Sequence, residues 1–169
     1  MTDAAEPDDE TSAEELLAVV RALENAGVRS WVGGGWGVDI LLGRATRPHR
    51  DVDVAVDATR MDDALAALTD LGYRAETDWR PVRLELHRPG RGRVDVHPVV
   101  FDAAGDGIQA GLDGAVFHYP ARALVRRPFL GFDVGCLSAR LALAFREGYE
   151  HRAVDHHDVA LLRGMVEDA

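Results

Sequence analysis

From residue 12 onward the chain switches between two hydrophobic periods. In SAEELLAVVRALENAG (12–27) apolar residues recur at three- and four-residue spacing, which predicts an amphipathic helix with Ser12 as N-cap, Glu15 completing a capping box and Gly27 as the stop. VRSWVGG (28–34) predicts a short strand entering a glycine turn, and WGVDILLG (36–43) a short helix closed by Gly43. RDVDVAVD (50–57) has the two-residue period of a strand, and RMDDALAALTDLG (60–72) returns to the helical one. Further strands are expected at about 73–76, 82–87 and 93–100, the last two joined by GRG (90–92) as a hairpin. Residues 102–115, rich in glycine and aspartate, read as a surface loop. After GFDVGC (131–136), SARLALAFREGYE (138–150) and AVDHHDVALLRGMVE (153–167) predict two helices joined near Tyr149–Arg152. The pattern as a whole is that of an α+β domain, a mixed β-sheet flanked by helices with a helical C-terminal end.

Composition narrows the class. A chain of 169 residues with 47% hydrophobic and 28% charged residues suits one soluble domain, and no apolar run approaches the roughly 20 residues that span a bilayer. The N-terminus lacks the basic and apolar regions of a signal peptide, and the single cysteine, Cys136, allows neither an intramolecular disulfide nor a cysteine-based zinc site. A reducing cytoplasm is the expected location. The net charge of −10 is uneven: the first 15 residues hold seven acids and no bases, leaving 22 acids against 19 bases. Residues 1–12 are therefore expected as a disordered acidic tail, followed by a single domain over 13–169 with its sheet core at about 28–135 and its helical part at about 137–168. No basic footprint for nucleic acid remains, and no membrane partner is expected. All 19 bases are arginine, so a phosphate would be held by arginine, backbone amides or metal.

Two aspartates interrupt the strand HRDVDVAV (49–56). Asp51 and Asp53 share one face while Val52, Val54 and Val56 share the other. Adjacent like charges repel unless solvent or a cation lies against them. Asp95, in RVDVHPV, occupies a similar mid-strand position, and if its strand lies beside the first, three carboxylates converge on a site suited to Mg2+, with room for two metals. The upstream turn GGGW (33–36) offers close backbone approach and a helix N-terminus, both suited to phosphate.

The stretch GGWGVDILLGRATRPHRDVDV (34–54) resembles the signature of the aminoglycoside 2''-adenylyltransferase and lincosamide nucleotidyltransferase family, within the DNA polymerase β-like nucleotidyltransferase superfamily. The similarity continues in RPVRLEL, VDVHPV and, more loosely, FREGYEHRAVDHHDVALL, and so covers most of residues 30–162. It implies a polymerase β-like nucleotidyltransferase core, Mg2+, ATP as nucleotide donor, Gly34 and Gly35 at the triphosphate, and Asp51 and Asp53 on metal, with Asp95 the candidate third ligand and two ions expected. Arg50, where the family has asparagine or an acid, is a departure that adds positive charge beside the metal, and the acidic extension is another.

Around this frame, Arg47 is the expected triphosphate clamp, and His49 is placed on the same loop, holding it through hydrogen bonds. Trp36 is core or pocket wall on the nucleotide side, and Asp39 either binds the nucleotide or caps the loop. Asp95 is general base or third ligand, with Glu85 the competing base. His97 shares the face of Asp95 and can reach the acceptor. The cluster His151, Asp155, His156, His157, Asp158 reads as a solvated helix face rather than a zinc site, with Tyr149 and Asp155 as acceptor contacts. The expected function is transfer of AMP from ATP to a hydroxyl of a small, amine-bearing antibiotic, a lincosamide or an aminoglycoside, with release of pyrophosphate. The alternatives are modification of a protein or tRNA, or a catalytically inactive nucleotide binder. A homodimer, the partner chain finishing the acceptor pocket, is the expected assembly.

Overall fold

The computed structural model describes residues 9–167. Along them run α1 (Ala13–Asn25), β1 (Ser30–Gly33), α2 (Gly34–Leu42), β2 (Asp51–Asp57), α3 (Met61–Leu71), β3 (Arg74–Trp79), β4 (Arg83–Arg88), β5 (Gly92–Phe101), β6 (Gly107–Ala110), β7 (Val116–Tyr119), β8 (Leu124–Phe129), β9 (Phe132–Leu137), α4 (Ala139–Ala144) and α5 (Ala153–Glu167). The main sheet has the order β3-β4-β5-β2-β1-β9-β8, and β6 and β7 extend it from the far end of β5. β2–β5 and β1–β9 are parallel and the other pairs antiparallel, so the sheet is mixed. The β4–β5 hairpin closes where GRG predicts it, with Arg88 opposite Gly92.

Period-two alternation in β2 sets the layering. Val52, Val54 and Val56 are fully buried and pack with Leu16, Val19 and Leu23 of α1 and Ala64 and Leu68 of α3. These helices cover the apolar face of the sheet. α2 turns Trp36 and Ile40 into that same core and meets α4 and α5 through Val38, Ala142 and Leu162. A second cluster, Ala55, Val99, Tyr119, Leu137 and Leu141, closes the far end of the opposite face and leaves the Asp51–Asp53 end open.

Several expectations change. Ser12 Oγ accepts from the Glu15 N–H at 3.1 Å, but the Glu15 carboxylate turns inward, where it accepts from the Tyr73 hydroxyl at 2.7 Å and from Arg88 at 3.0 Å. Residues 102–115 are not a plain loop. β6 pairs with the end of β5, Val100 opposite Ile108, and then with β7. The glycine there is a packing requirement rather than a loop signal, because a Cβ at Gly107 would run into Val99 and lie 2.8 Å from the Phe101 ring. The first C-terminal helix ends at Ala144, well short of residue 150: Arg146 folds back to donate to the Ala142 carbonyl at 2.8 Å, and Gly148 takes φ 86°.

Of the expected acidic tail, residues 1–8 lie outside the described residues. Residues 9–12 belong to the domain: Asp9 accepts from Arg93 at 2.7 Å and lies 2.7 Å from His87 Nε2, and the Thr11 N–H donates to the His49 carbonyl at 2.8 Å. Among the described residues no helix is long and apolar enough to cross a membrane.

Candidate active site

Strand register assembles the carboxylates. Asp53 on β2 is the direct partner of Asp95 on β5, Asp95 is the partner of Glu85 on β4, and on the other side Asp53 is the partner of Gly33 on β1. One row across four strands therefore carries Glu85, Asp95, Asp53 and the glycine turn, with Asp51 two residues away on the same face. His97, two residues beyond Asp95, brings Nε2 to 3.3 Å from Asp53 Oδ1 and 3.9 Å from Asp95 Oδ2. Atoms of Asp53, Asp95 and His97 all lie within 4.8 Å of one another. Arg83 donates to Asp95 Oδ2 at 2.7 Å, lies 3.6 Å from Glu85, and places its guanidinium 4.8 Å from the centre of the Trp79 ring.

So much negative charge in a half-buried row distorts titration. Burial, then the charges of Asp53, Asp95 and Glu85, push the Asp51 carboxyl up to about 7. The Asp95 carboxyl is also raised, chiefly by burial and against the pull of His97 and Arg83. For His97, burial opposes the cation, but the Asp53 hydrogen bond and the Asp53 and Asp95 charges outweigh it, and the net direction is upward. Asp95 Oδ1 is buried without a hydrogen-bond partner, a costly state for a carboxylate oxygen. An orphaned carboxylate oxygen, a second carboxyl held partly protonated and oxygen donors from adjacent strands fit a hard divalent cation. Asp51, Asp53 and Asp95 are the side chains that would hold it.

The phosphate side is built by glycine. Gly34 opens α2 with φ 57°, and a Cβ there would overlap the Asp53 carboxylate. At Gly35 a Cβ would overlap the Arg47 guanidinium and lie 2.8 Å from His49 Nδ1. The two glycines thus let a metal-site carboxylate and an arginine lie against a helix N-terminus, whose amides are free for phosphate oxygens. Arg47 is held in a two-pronged pair with Asp158, Nε at 3.0 Å and Nη2 at 2.9 Å, and Arg146 approaches the same carboxylate at 3.3 Å.

A cavity of about 690 Å³ runs from this corner to an aromatic end formed by Trp31, Phe117, Tyr119, Phe145 and Tyr149. Gly34, Gly35, Arg47, His49, Asp51, Asp53, Glu85, His97, Tyr149 and Asp155 all line it, and Asp95 lies just beneath, 7% exposed. Two other expected residues also do not line it. Asp39, 1% exposed, accepts from the Thr46 N–H at 2.9 Å and from the Thr46 hydroxyl, and lies 2.6 Å from His49 Nε2, so its carboxylate is spent on the loop. Of the two roles expected for Asp39, these bonds are those of a loop cap. Trp36 is core: it packs on His49 with ring centroids 4.1 Å apart and edge-on to Phe129.

The C-terminal cluster is not a solvated face. Asp155 and Asp158 are buried, Asp155 accepting from the Arg152 N–H at 2.9 Å while Asp158 holds Arg47. His157 is bonded to Thr46 and Asp158 to Arg47, which knits α5 to the loop before β2, while His151 is bonded to the Arg146 carbonyl within the turn between α4 and α5. The sequence reading missed Arg83, Phe117, Tyr119, Phe145, Arg146 and Gln109. Phe117, Tyr119 and Gln109 sit on strands hidden in glycine-rich sequence, and Arg146 on the turn mistaken for helix.

Comparison with known proteins agrees with this geometry. The sequence model of the family described as aminoglycoside-2''-adenylyltransferase matches residues 15–162. A lincosamide resistance protein of Staphylococcus haemolyticus is 32% identical over 152 residues, which is 90% of this chain and 94% of that protein. A 2''-aminoglycoside nucleotidyltransferase of Escherichia coli is 33% identical over 66 residues, 39% of this chain and 37% of that protein. The crystal structure of a lincosamide antibiotic adenylyltransferase with lincomycin bound superposes with a TM-score of 0.84 at 31% identity, covering 92% of this chain and 99% of that one.

Proposed function

The chain belongs to the aminoglycoside-2''-adenylyltransferase family and is a nucleotidyltransferase; from that premise we propose that it transfers AMP from ATP, with Mg2+, to a hydroxyl of a lincosamide, releasing pyrophosphate. The observation that carries the choice of acceptor is the aromatic lining of the cavity, Trp31, Phe117, Tyr119, Phe145 and Tyr149. Such a wall favours an acceptor with apolar surface, and the carboxylates beside it are already bonded, Asp155 to Arg152 and Asp158 to Arg47 and Arg146. The similarity to the lincosamide resistance protein, which runs the length of both chains, supports the same choice.

Asp51, Asp53 and Asp95 would hold the cation, which when bound neutralises triphosphate charge and stabilises the departing pyrophosphate. The α2 amides at Gly34 and Gly35 and the Arg47 guanidinium hold the phosphates from the other side. Asp95 takes the proton from the acceptor hydroxyl as its oxygen attacks the α-phosphorus in line. Arg83 holds Oδ2 and fixes the carboxylate, and burial raises the carboxyl toward the range where a base works. The rest is positioning, with nucleotide and acceptor held at opposite ends of one cavity.

Incubation with MgATP and panels of lincosamides and aminoglycosides, followed by mass spectrometry, tests the reading. An adenylylated lincosamide is expected. Product from the aminoglycosides alone would reassign the acceptor, and no product from either panel would overturn the antibiotic reading.

A further inference from the structure

His97 lies against two of the carboxylates that would hold the metal and offers a ring nitrogen within their reach. By composition alone it would be counted as a further ligand. The residues behind it argue otherwise.

Gln109, on β6, is 6% exposed, and its side chain makes three contacts. Nε2 lies 3.1 Å from the Val82 carbonyl and 3.0 Å from His97 Nδ1, and Oε1 accepts from the Tyr119 hydroxyl. A backbone carbonyl can only accept, so the amide must present its NH2 group to Val82; the reversed amide would set two oxygens against each other at a buried side chain. The same NH2 group has its second hydrogen for His97 Nδ1. In the neutral ring Nδ1 is thereby the acceptor, and the ring's single hydrogen is carried on Nε2. That hydrogen is directed at Asp53 Oδ1, 3.3 Å away.

We infer that Gln109 is a positioning residue for metal selectivity: through His97 Nδ1 it keeps a hydrogen on Nε2, so that His97 donates to Asp53 and is withheld from the metal. The site then presents oxygen donors only. Hard cations such as Mg2+ take carboxylate oxygen, whereas Zn2+, Co2+ and Ni2+ gain from imidazole, so withholding His97 disfavours the transition metals that bind such sites most tightly. The Nε2–H also orients Asp53 from the side opposite the glycine turn. Tyr119 and Val82 fix Gln109, as outer hydrogen bonds fix the tautomer of a metal-binding histidine, but here in the opposite sense.

The inference rests on the metal-dependent transfer proposed above, and its test does not need turnover. Nitrogen-15 NMR of the whole metal-free protein in mildly alkaline buffer, with the His97 signal assigned by its loss in His97→Gln, is expected to show hydrogen on Nε2 and none on Nδ1. In Gln109→Glu the carboxylate would accept from Nδ1–H and free Nε2. Calorimetry with Zn2+ or Mg2+ chloride alone is expected to show the Zn2+ to Mg2+ affinity ratio rising by about ten- to a hundredfold. Hydrogen on Nδ1 in the unaltered protein, or an unchanged ratio in a folded Gln109→Glu protein, overturns it. Should Gln109→Glu fail to fold, Zn2+ titrated into the unaltered protein decides: His97 Nε2 signals that move as a bound ligand refute the inference, and signals that keep the attached hydrogen support it. Failure of the functional reading looks different, as absence of adenylylated product from a protein whose His97 tautomer is as stated.

Discussion

Asp53 and Asp95 face each other as direct partners across the parallel β2–β5 pair, with His97 Nε2 3.3 Å from the first and 3.9 Å from the second. Two carboxylates in that position are held together against their repulsion by the sheet's hydrogen bonds and by the apolar packing of the opposite face. This relationship is what suits the site to a cation, and it separates the roles of the acids around it.

Asp95→Asn is expected to lower kcat about 10²- to 10⁴-fold, the contribution of a general base, while the fold is retained because the amide oxygen still accepts from Arg83. Glu85→Gln, next in the row, is expected to cost less than about tenfold on the same scale. Steady-state kinetics with a lincosamide acceptor checks both, and the reverse ranking would move the base to Glu85.

The two glycines at the start of α2 should fail in different ways. Gly34→Ala places a side chain at φ 57° and into the Asp53 carboxylate, so it should lose about 1–2 kcal/mol of stability and weaken metal binding together. Gly35→Ala meets the far end of Arg47 and the edge of His49. Its expected signature is a raised KM for ATP with a smaller change in Tm. Thermal unfolding and ATP titrations of both variants separate the two patterns.

The raised Asp51 carboxyl gives a pH dependence of definite sign. Its folded value of about 7 lies above the ordinary 3.8, so between those values the folded state binds more proton than the unfolded one. Metal-free protein should therefore lose stability as pH rises from about 4 through about 7. Urea unfolding across that range shows the slope, and Asp51→Asn should flatten it. Cation binding at neutral pH should release protons, visible in calorimetry as a heat that depends on the buffer.

Tyr149 is half exposed at the aromatic end of the cavity, bonded to Asp155 at 3.3 Å. Tyr149→Ala is expected to raise the KM for the acceptor roughly three- to tenfold, the worth of one aromatic contact, and to leave the KM for ATP unchanged. Equal effects on both substrates would place the acceptor elsewhere.

The sequence alone determined what depends on neighbours along the chain. Period-two alternation in RDVDVAVD put the valines on one face and the aspartates on the other, and Gly27, Gly43 and the GRG link marked real ends of elements. The order of glycine turn, loop and Asp51–Asp53 pair, with Asp95 on a later strand, was enough to name the family. What the sequence lacked was pairing between distant strands and the cost of burial. Only the sheet's register brought Asp95 to Asp53 and Glu85 to Asp95. Only packing turned Asp39 and Trp36 away from the cavity and drew Asp155 and Asp158 out of water. Gln109 was invisible for the same reason: its chemistry is fixed by the Val82 carbonyl, the Tyr119 hydroxyl and the His97 ring, three groups from three separate stretches of chain. A hydrogen bond between groups far apart in sequence leaves no mark on either until tertiary structure excludes the water that would otherwise take its place.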